Sequence, residues 1–79
     1  MSHAKISAIE KYVIEVVKAK RIEKNISQKD LSFKLGKTIS LVGNIENPKL
    51  RHTYNLEAIN ELAILFDCSP RDFLPEKPL

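Results

Sequence analysis

The side chains that most often carry out catalysis or bind metals are few and scattered in this sequence. It contains one cysteine, Cys68, and two histidines, His3 and His52, and their spacing matches no zinc site. There is no glycine-rich segment to cradle a phosphate group and no pair of carboxylates in an evident apolar pocket pattern. We expect Cys68 to be a buried, inert thiol. The sequence therefore predicts a binding protein with no enzymatic activity, no metal and no cofactor.

Charge is distributed unevenly along the chain. The net charge is +3, with a balance of +3 over residues 1–26, +3 over residues 27–52 and −3 over residues 53–79. A basic part beside an acidic part favours a polyanionic partner on one side of the molecule. A solvated surface of mixed charge explains the composition alone equally well.

The length of 79 residues leaves room for a single hydrophobic core. This argues against an enzyme with a large cleft and against a separate ligand-sensing domain. No apolar run approaches the ~20 residues that cross a bilayer, and the N-terminus lacks the apolar stretch of a secretory signal. We expect one cytoplasmic domain over residues 1–79, with its core at about 5–74, a frayed tail at 75–79 and no membrane partner.

The hydrophobic periodicity predicts helices and no strands. A first helix is expected at about residues 5–24, ended by Asn25 in a left-handed conformation. Its inward face would comprise Ile6, Ile9, Val13, Val16 and Val17. A second helix begins at Ser27, where Ser27 and Asp30 form a capping-box pattern, and ends at Gly36.

Three further helices follow from cap and breaker residues. Thr38 would cap a third helix over residues 39–47, which Pro48 ends. Residues 48–55 would form a loop. Asn55 would cap a fourth helix, with a buried stripe of Leu56, Ile59, Leu62, Ala63 and Phe66. Ser69 and Pro70 would begin a short fifth helix, which Phe73 and Leu74 dock onto the core.

The second and third helices together meet the requirements of a helix-turn-helix. Inward leucines occur at Leu31 and Leu35, and Ser32 is the small residue expected where the two helices approach. Gly36 permits the turn, and the third helix supplies two inward apolar residues, Val42 and Ile45. The alternative is an ordinary helical hairpin that happens to fit the pattern.

These segments resemble the Cro/repressor, or xenobiotic-response-element, type of helix-turn-helix domain. The resemblance rests on residues 20–22, 26–32, 35–36 and 42–47, and it continues through 56–74. It implies an all-α fold, a compact five-helix bundle of the phage-repressor type. It also implies a sequence-specific transcriptional regulator that occupies double-stranded DNA operators as a homodimer, with the helix Thr38–Asn47 in the major groove.

The resemblance also implies roles for single residues. The residues at base-reading positions are Ile39, Ser40 and Asn44. The residues at phosphate-contacting positions are Gln28, Thr38, Lys49, Arg51 and His52. Arg21 and Glu46 would form a partly buried salt bridge. Because an asparagine can bond bidentately to the N6/N7 edge of adenine, Asn44 is the best candidate for a specific contact, and a solvated side chain is the alternative.

Several residues depart from the family pattern or lack an explanation. Gly43 is costly within a helix; it either permits close approach to DNA, or it packs tightly within the protein or is simply tolerated there. Ile64 and Leu65 form either a self-association patch or part of the core. Phe33 and Leu41 have no assigned role. Together with Ile39 they would form a partner surface if the chain were instead a protein-interaction module, such as the antitoxin of a toxin–antitoxin pair.

Overall fold

The computed structural model describes residues 6–79, so His3 and the predicted helix start at residue 5 lie outside the described part. The helices are α1 (Ala8–Glu23), α2 (Gln28–Lys34), α3 (Leu41–Glu46), α4 (Leu56–Phe66) and a 3₁₀ helix (Pro70–Phe73). The all-α architecture is therefore as predicted, except that the fifth helix is a single 3₁₀ turn. Pro75 explains this, because it holds the preceding Leu74 in an extended conformation.

Local cap residues fix most of the helix ends. Ser7 and Glu10 form a reciprocal capping box that starts α1 three residues later than expected. At the end of this helix Asn25 is left-handed, with φ 59°, as predicted. Ser27 accepts a hydrogen bond from the backbone N–H of Asp30 at 3.0 Å. Gly36 takes the positive φ of 69° that the turn after α2 requires.

The start of α3 was predicted wrongly. The helix begins at Leu41 and not at Ile39, and its N-cap residue is Ser40, whose side chain makes no capping hydrogen bond. Thr38 contributes only its backbone carbonyl, which accepts from the N–H of Leu41 at 3.0 Å. At the other end, Asn47 is extended in front of Pro48.

The core lies between α1, the helix-turn-helix and the C-terminal helices. Its buried residues are Val13, Ile14, Val17, Leu31, Leu35, Val42, Ile45, Tyr54, Ile59, Leu62, Ala63, Phe66 and Phe73. Two predicted core residues, Ile9 and Leu56, are exposed, Leu56 by 83%. Both belong to the first turn of their helix, before the helix reaches the core. Leu74 is 44% exposed, whereas Phe73 is fully buried in the core.

Other expectations concern residues outside the core. Cys68 is half-buried against the core and is a free thiol. Within residues 6–79, none of the helices combines the length and the apolar character needed to span a bilayer. The same residues contain no cluster of three or more histidine, cysteine or acidic side chains arranged for a metal ion.

Candidate nucleic-acid interface

A buried serine connects the two helices of the helix-turn-helix. Ser32 on α2 has no solvent exposure. Its hydroxyl donates to the carbonyl of Gln28 at 2.9 Å and accepts from the backbone N–H of Val42 at 3.0 Å. The Val42 N–H belongs to the first turn of α3, where a helix has no internal partner for its donors. The small side chain that the sequence required for close approach is thus also the cap of α3.

An ion pair ties the end of α3 to the end of α1. Arg21 donates from Nε to Oε2 of Glu46 and from Nη2 to Oε1, each at 2.9 Å. Its Nη1 donates to the carbonyl of Ile26 at 2.7 Å, which secures the connection between α1 and α2. The side chains are 10% and 3% exposed. The hydrogen bond to Glu46 raises the pKa of Arg21, so the guanidinium stays charged.

Gln28 extends this network to the start of α2. Its Nε2 donates to Oε1 of Glu46 at 3.0 Å, so one carboxylate oxygen receives both Arg21 and Gln28. The amide of Gln28 also lies against α3, because a Cβ placed on Gly43 would be 3.2 Å from its Oε1. Gly43 therefore packs closely against Gln28 within the protein, which is one of the interpretations offered for this glycine.

Tyr54 is buried next to this network. Burial raises the pKa of its hydroxyl, and the negative charge of Glu46 raises it further. The residue lies between α4 and the basic loop that follows α3, which carries Lys49, Arg51 and His52. Its ring is part of the core and so anchors this loop. The sequence pattern assigned it to the loop and gave no sign of its burial.

The predicted base-reading residues lie at the start of α3 and within it. Thr38, Ile39 and Ser40 are exposed and form the approach to the helix, whereas Asn44 is half-buried within it. The backbone N–H of Asn44 donates to the carbonyl of Ser40 at 2.9 Å. Side chains one turn apart share a face, so Ser40 and Asn44 lie side by side.

Three of the predicted phosphate-contacting residues occupy the loop after α3. The side chains of Lys49, Arg51 and His52 are exposed and, with Leu50, surround an open depression. Asn47 orders the start of the loop, because its Oδ1 accepts from the N–H of Lys49 at 2.9 Å. Sequence reasoning placed Asn47 at the end of the helix and missed this role, although Asn before Pro is a common turn signal.

Comparison with known proteins identifies the fold. A helix-turn-helix family model (HTH_3) matches residues 17–73, which include the whole Ser32 and Arg21–Glu46 network. The chain belongs to this helix-turn-helix family. Members of this Cro/C1-type family are DNA-binding regulators and not enzymes. The resemblance inferred from the sequence is therefore confirmed.

Two solved structures are similar to this helix-turn-helix domain. The restriction-modification controller protein C.AhdI from Aeromonas hydrophila is 28% identical, with a TM-score of 0.67, over 80% of this chain and 92% of that chain. The hypothetical transcription factor NHTF from Neisseria has a TM-score of 0.74 over 95% of this chain and 87% of that chain. At 18% identity, the second similarity shows the fold alone. No curated protein sequence matches the chain significantly.

Proposed function

We propose that this helix-turn-helix domain is a sequence-specific transcriptional regulator that binds double-stranded DNA as a homodimer. It acts by occupying its operator, where it blocks or recruits polymerase without catalysing a reaction. Residues 1–79 form one binding unit in this proposal. The similarity to a controller protein at 28% identity supports a regulatory role.

The observation that supports the proposal most directly is the way α3 is held. Ser32 caps the helix start and the Arg21–Glu46 pair holds its end, so both ends of α3 are attached to buried parts of the protein. A recognition element needs this rigidity, because base contacts depend on hydrogen-bond geometry. The segment Thr38–Asn47, with α3 as its helical part, would enter the major groove.

The candidate side chains divide into two kinds of DNA contact. Asn44 could read adenine and Ser40 either a donor or an acceptor, whereas Ile39 could contact only a thymine methyl group. Gln28, Thr38 and the loop residues Lys49, Arg51 and His52 would bind phosphates. Phosphate contacts set affinity and register and carry no sequence information.

Dimerisation would use the outer surface of α4. Ile64 is 71% exposed and its neighbour Leu65 is also exposed, so neither residue belongs to the core. Burial of this apolar pair against a second copy would remove it from water. Glu57 and Glu61 on the same helix would be repelled by phosphates, so α4 would face away from the DNA. Two half-sites would then lie about one helical turn, ~34–36 Å, apart.

A specific observation also favours a protein partner. Phe33 on α2 is 76% exposed and Ile39 is exposed nearby in the sequence, while Leu41 is half-buried against the core. An exposed aromatic side chain is typical of protein-binding surfaces. In this second candidate function, the chain would be an interaction module such as an antitoxin.

Selection of bound sequences from random duplex DNA tests the proposal. We expect one enriched site with two-fold symmetry. The same selection with Asn44→Ala should lose its preference at one base pair in each half-site, worth ~1–3 kcal/mol. Glu15→Ala, an exposed change on α1 away from the proposed DNA and dimer surfaces, is the control and should select the wild-type site. Enrichment of no site, together with failure to retard any duplex at low salt, would contradict the proposal and favour the interaction module.

A further inference from the structure

We propose that Gly43 and Glu46 position the Gln28 side chain for its contact with DNA phosphate. In this arrangement Gly43 leaves the space in which the amide lies, and Glu46 fixes the direction of the amide. The inference rests on the proposed function, because it explains how one of its phosphate contacts is prepared. It assigns a positioning role to a glycine that the helix would otherwise disfavour.

The space beside Gly43 is occupied by the Gln28 side chain. Among the described residues, and apart from the chain neighbours Val42 and Asn44, the only side-chain atoms within 4 Å of a Cβ at this position belong to Gln28, with Oε1 at 3.2 Å and Cδ at 3.8 Å. A separation of 3.2 Å is tighter than ordinary van der Waals contact. A Cβ at position 43 would therefore push the Gln28 amide away from α3 by roughly a few tenths of an ångström. The backbone of Gly43 is helical with no positive φ, so glycine is not required by the backbone conformation.

Glu46 determines which end of the Gln28 amide faces it. Its carboxylate can only accept hydrogen bonds, so the group that faces Oε1 of Glu46 at 3.0 Å must be the NH₂ end of the Gln28 amide. Arg21 fixes the carboxylate in turn through two hydrogen bonds of 2.9 Å. Rotation of the amide would place its oxygen against the carboxylate, which is repulsive.

Because the Gln28 amide is oriented by Glu46, one of its N–H donors is left for another acceptor. A glutamine amide has two N–H donors, and one of them is used by Glu46. No acceptor within residues 6–79 takes the second donor, and Gln28 is exposed to solvent. A phosphate oxygen can accept only from such a donor, whereas it would be repelled by Oε1. The network thus presents the donor end before DNA arrives, so binding requires no reorientation of the side chain.

A double-mutant cycle tests the role of Gly43. Gln28→Ala should weaken binding to the selected duplex roughly tenfold, because a hydrogen bond to a charged group is lost. Gly43→Ala should weaken it roughly threefold in the unsubstituted chain, because displacement of the amide spoils the geometry of its contact. In the Gln28→Ala background, Gly43→Ala should cause no further loss. The thermal midpoint of Gly43→Ala should stay the same or rise, because alanine favours the helix.

Two outcomes would overturn the inference. Equal losses from Gly43→Ala in both backgrounds would mean that Gly43 serves direct approach to DNA. No loss in either background would mean that the amide is not positioned by α3. The Gln28 side-chain NH₂ resonances provide a readout without DNA, and they should shift in Gly43→Ala and stay unchanged in Glu15→Ala. If the unsubstituted chain binds no duplex, the proposed function fails, while unchanged resonances in Gly43→Ala would defeat the positioning inference separately.

Discussion

The hydroxyl of Ser32 accepts a hydrogen bond from the backbone N–H of Val42 at 3.0 Å, in a position without solvent exposure. One helix of the helix-turn-helix thereby caps the other. The cap sets where α3 begins and how it lies on α2, since the same hydroxyl also donates to the carbonyl of Gln28. The relative placement of the two helices is thus fixed by hydrogen bonds as well as by apolar packing.

Replacement of Ser32 by alanine should destabilise the domain. The Val42 N–H would lose its partner in a buried position, which costs about 1–3 kcal/mol of unfolding free energy. Urea denaturation followed by circular dichroism measures the change. Ser40→Ala is the control, because the Ser40 side chain makes no capping bond, and it should change stability by less than about 0.5 kcal/mol. Equal effects of the two substitutions would argue against the cap.

The Arg21–Glu46 pair gives a second stability prediction. Arg21→Met should leave the Glu46 side chain, which is 3% exposed, as a buried charge without its partner. The expected loss is about 3–5 kcal/mol. Adding Glu46→Leu should restore much of it, because a buried ion pair can often be replaced by apolar residues at little cost. Denaturation of both variants decides the matter. A loss below about 1 kcal/mol for Arg21→Met would instead indicate an exposed pair.

The raised pKa of Tyr54 predicts a loss of stability in base. In the unfolded chain the tyrosine releases its proton near its ordinary pKa of about 10, whereas the folded state holds it. The folded state therefore binds more protons above that pH, and the free energy of unfolding falls as pH rises. The contribution of Tyr54 to the free energy of unfolding is fully present below pH ~10.

Tyr54→Phe isolates this effect from the other groups that titrate in base. The difference in unfolding free energy between the two proteins should be constant from pH 7 to 9. Above pH ~10 it should shift in favour of the variant, by up to about 1.4 kcal/mol per pH unit. Parallel curves throughout would show that Tyr54 titrates normally in the folded protein.

Lys49→Ala and Arg51→Ala should weaken binding to all duplexes alike. Each phosphate contact releases counterions, so each substitution should flatten the slope of log K against log salt by about one. Fluorescence anisotropy at several salt concentrations measures the slope. Lys77→Ala, in the exposed C-terminal segment, provides a matched loss of one positive charge. If it flattens the slope as much as Arg51→Ala does, net charge and not the loop is responsible.

Self-association through α4 is tested by Ile64→Lys. A buried lysine at the interface would have to lose its hydration, so the variant should sediment as a monomer at concentrations where the parent is a dimer. The control is Leu56→Lys, at the other end of the same helix and also exposed. If Leu56→Lys dissociates the dimer and Ile64→Lys does not, the interface lies at the N-terminal end of α4 and the prediction is wrong.

Features determined by neighbouring residues in sequence were predictable. Asn25, Ser27 and Gly36 mark helix ends through their own backbone or cap preferences, and the structure has them so. Asp67, in the position where a glycine is expected, is left-handed with φ 54°. The start of α3 was not predictable, because its cap comes from Ser32, ten residues earlier on another helix.

In the candidate site too, contacts between residues distant in sequence were not predictable. The types of its residues and their exposure follow from local pattern, and the partnership of Arg21 with Glu46 came from family resemblance. The contact between Gln28 and Gly43 depends on how α2 crosses α3, which no periodicity encodes. Ile9 and Leu56 continue the apolar stripes of their helices, yet both are exposed, because a stripe does not show where the core ends.

In the proposed complex, the segment Thr38–Asn47 and the following basic loop face DNA while α4 faces away. The most direct measurement is the change in backbone amide chemical shifts when the chain, labelled with ¹⁵N, is titrated with its selected duplex. We predict that the large changes fall on residues 28, 38–47 and 49–52, and that the exposed residues of α4 change little. Large changes centred on Glu57, Glu61 and Ile64, with α3 unaffected, would show that α4 and not α3 faces the DNA.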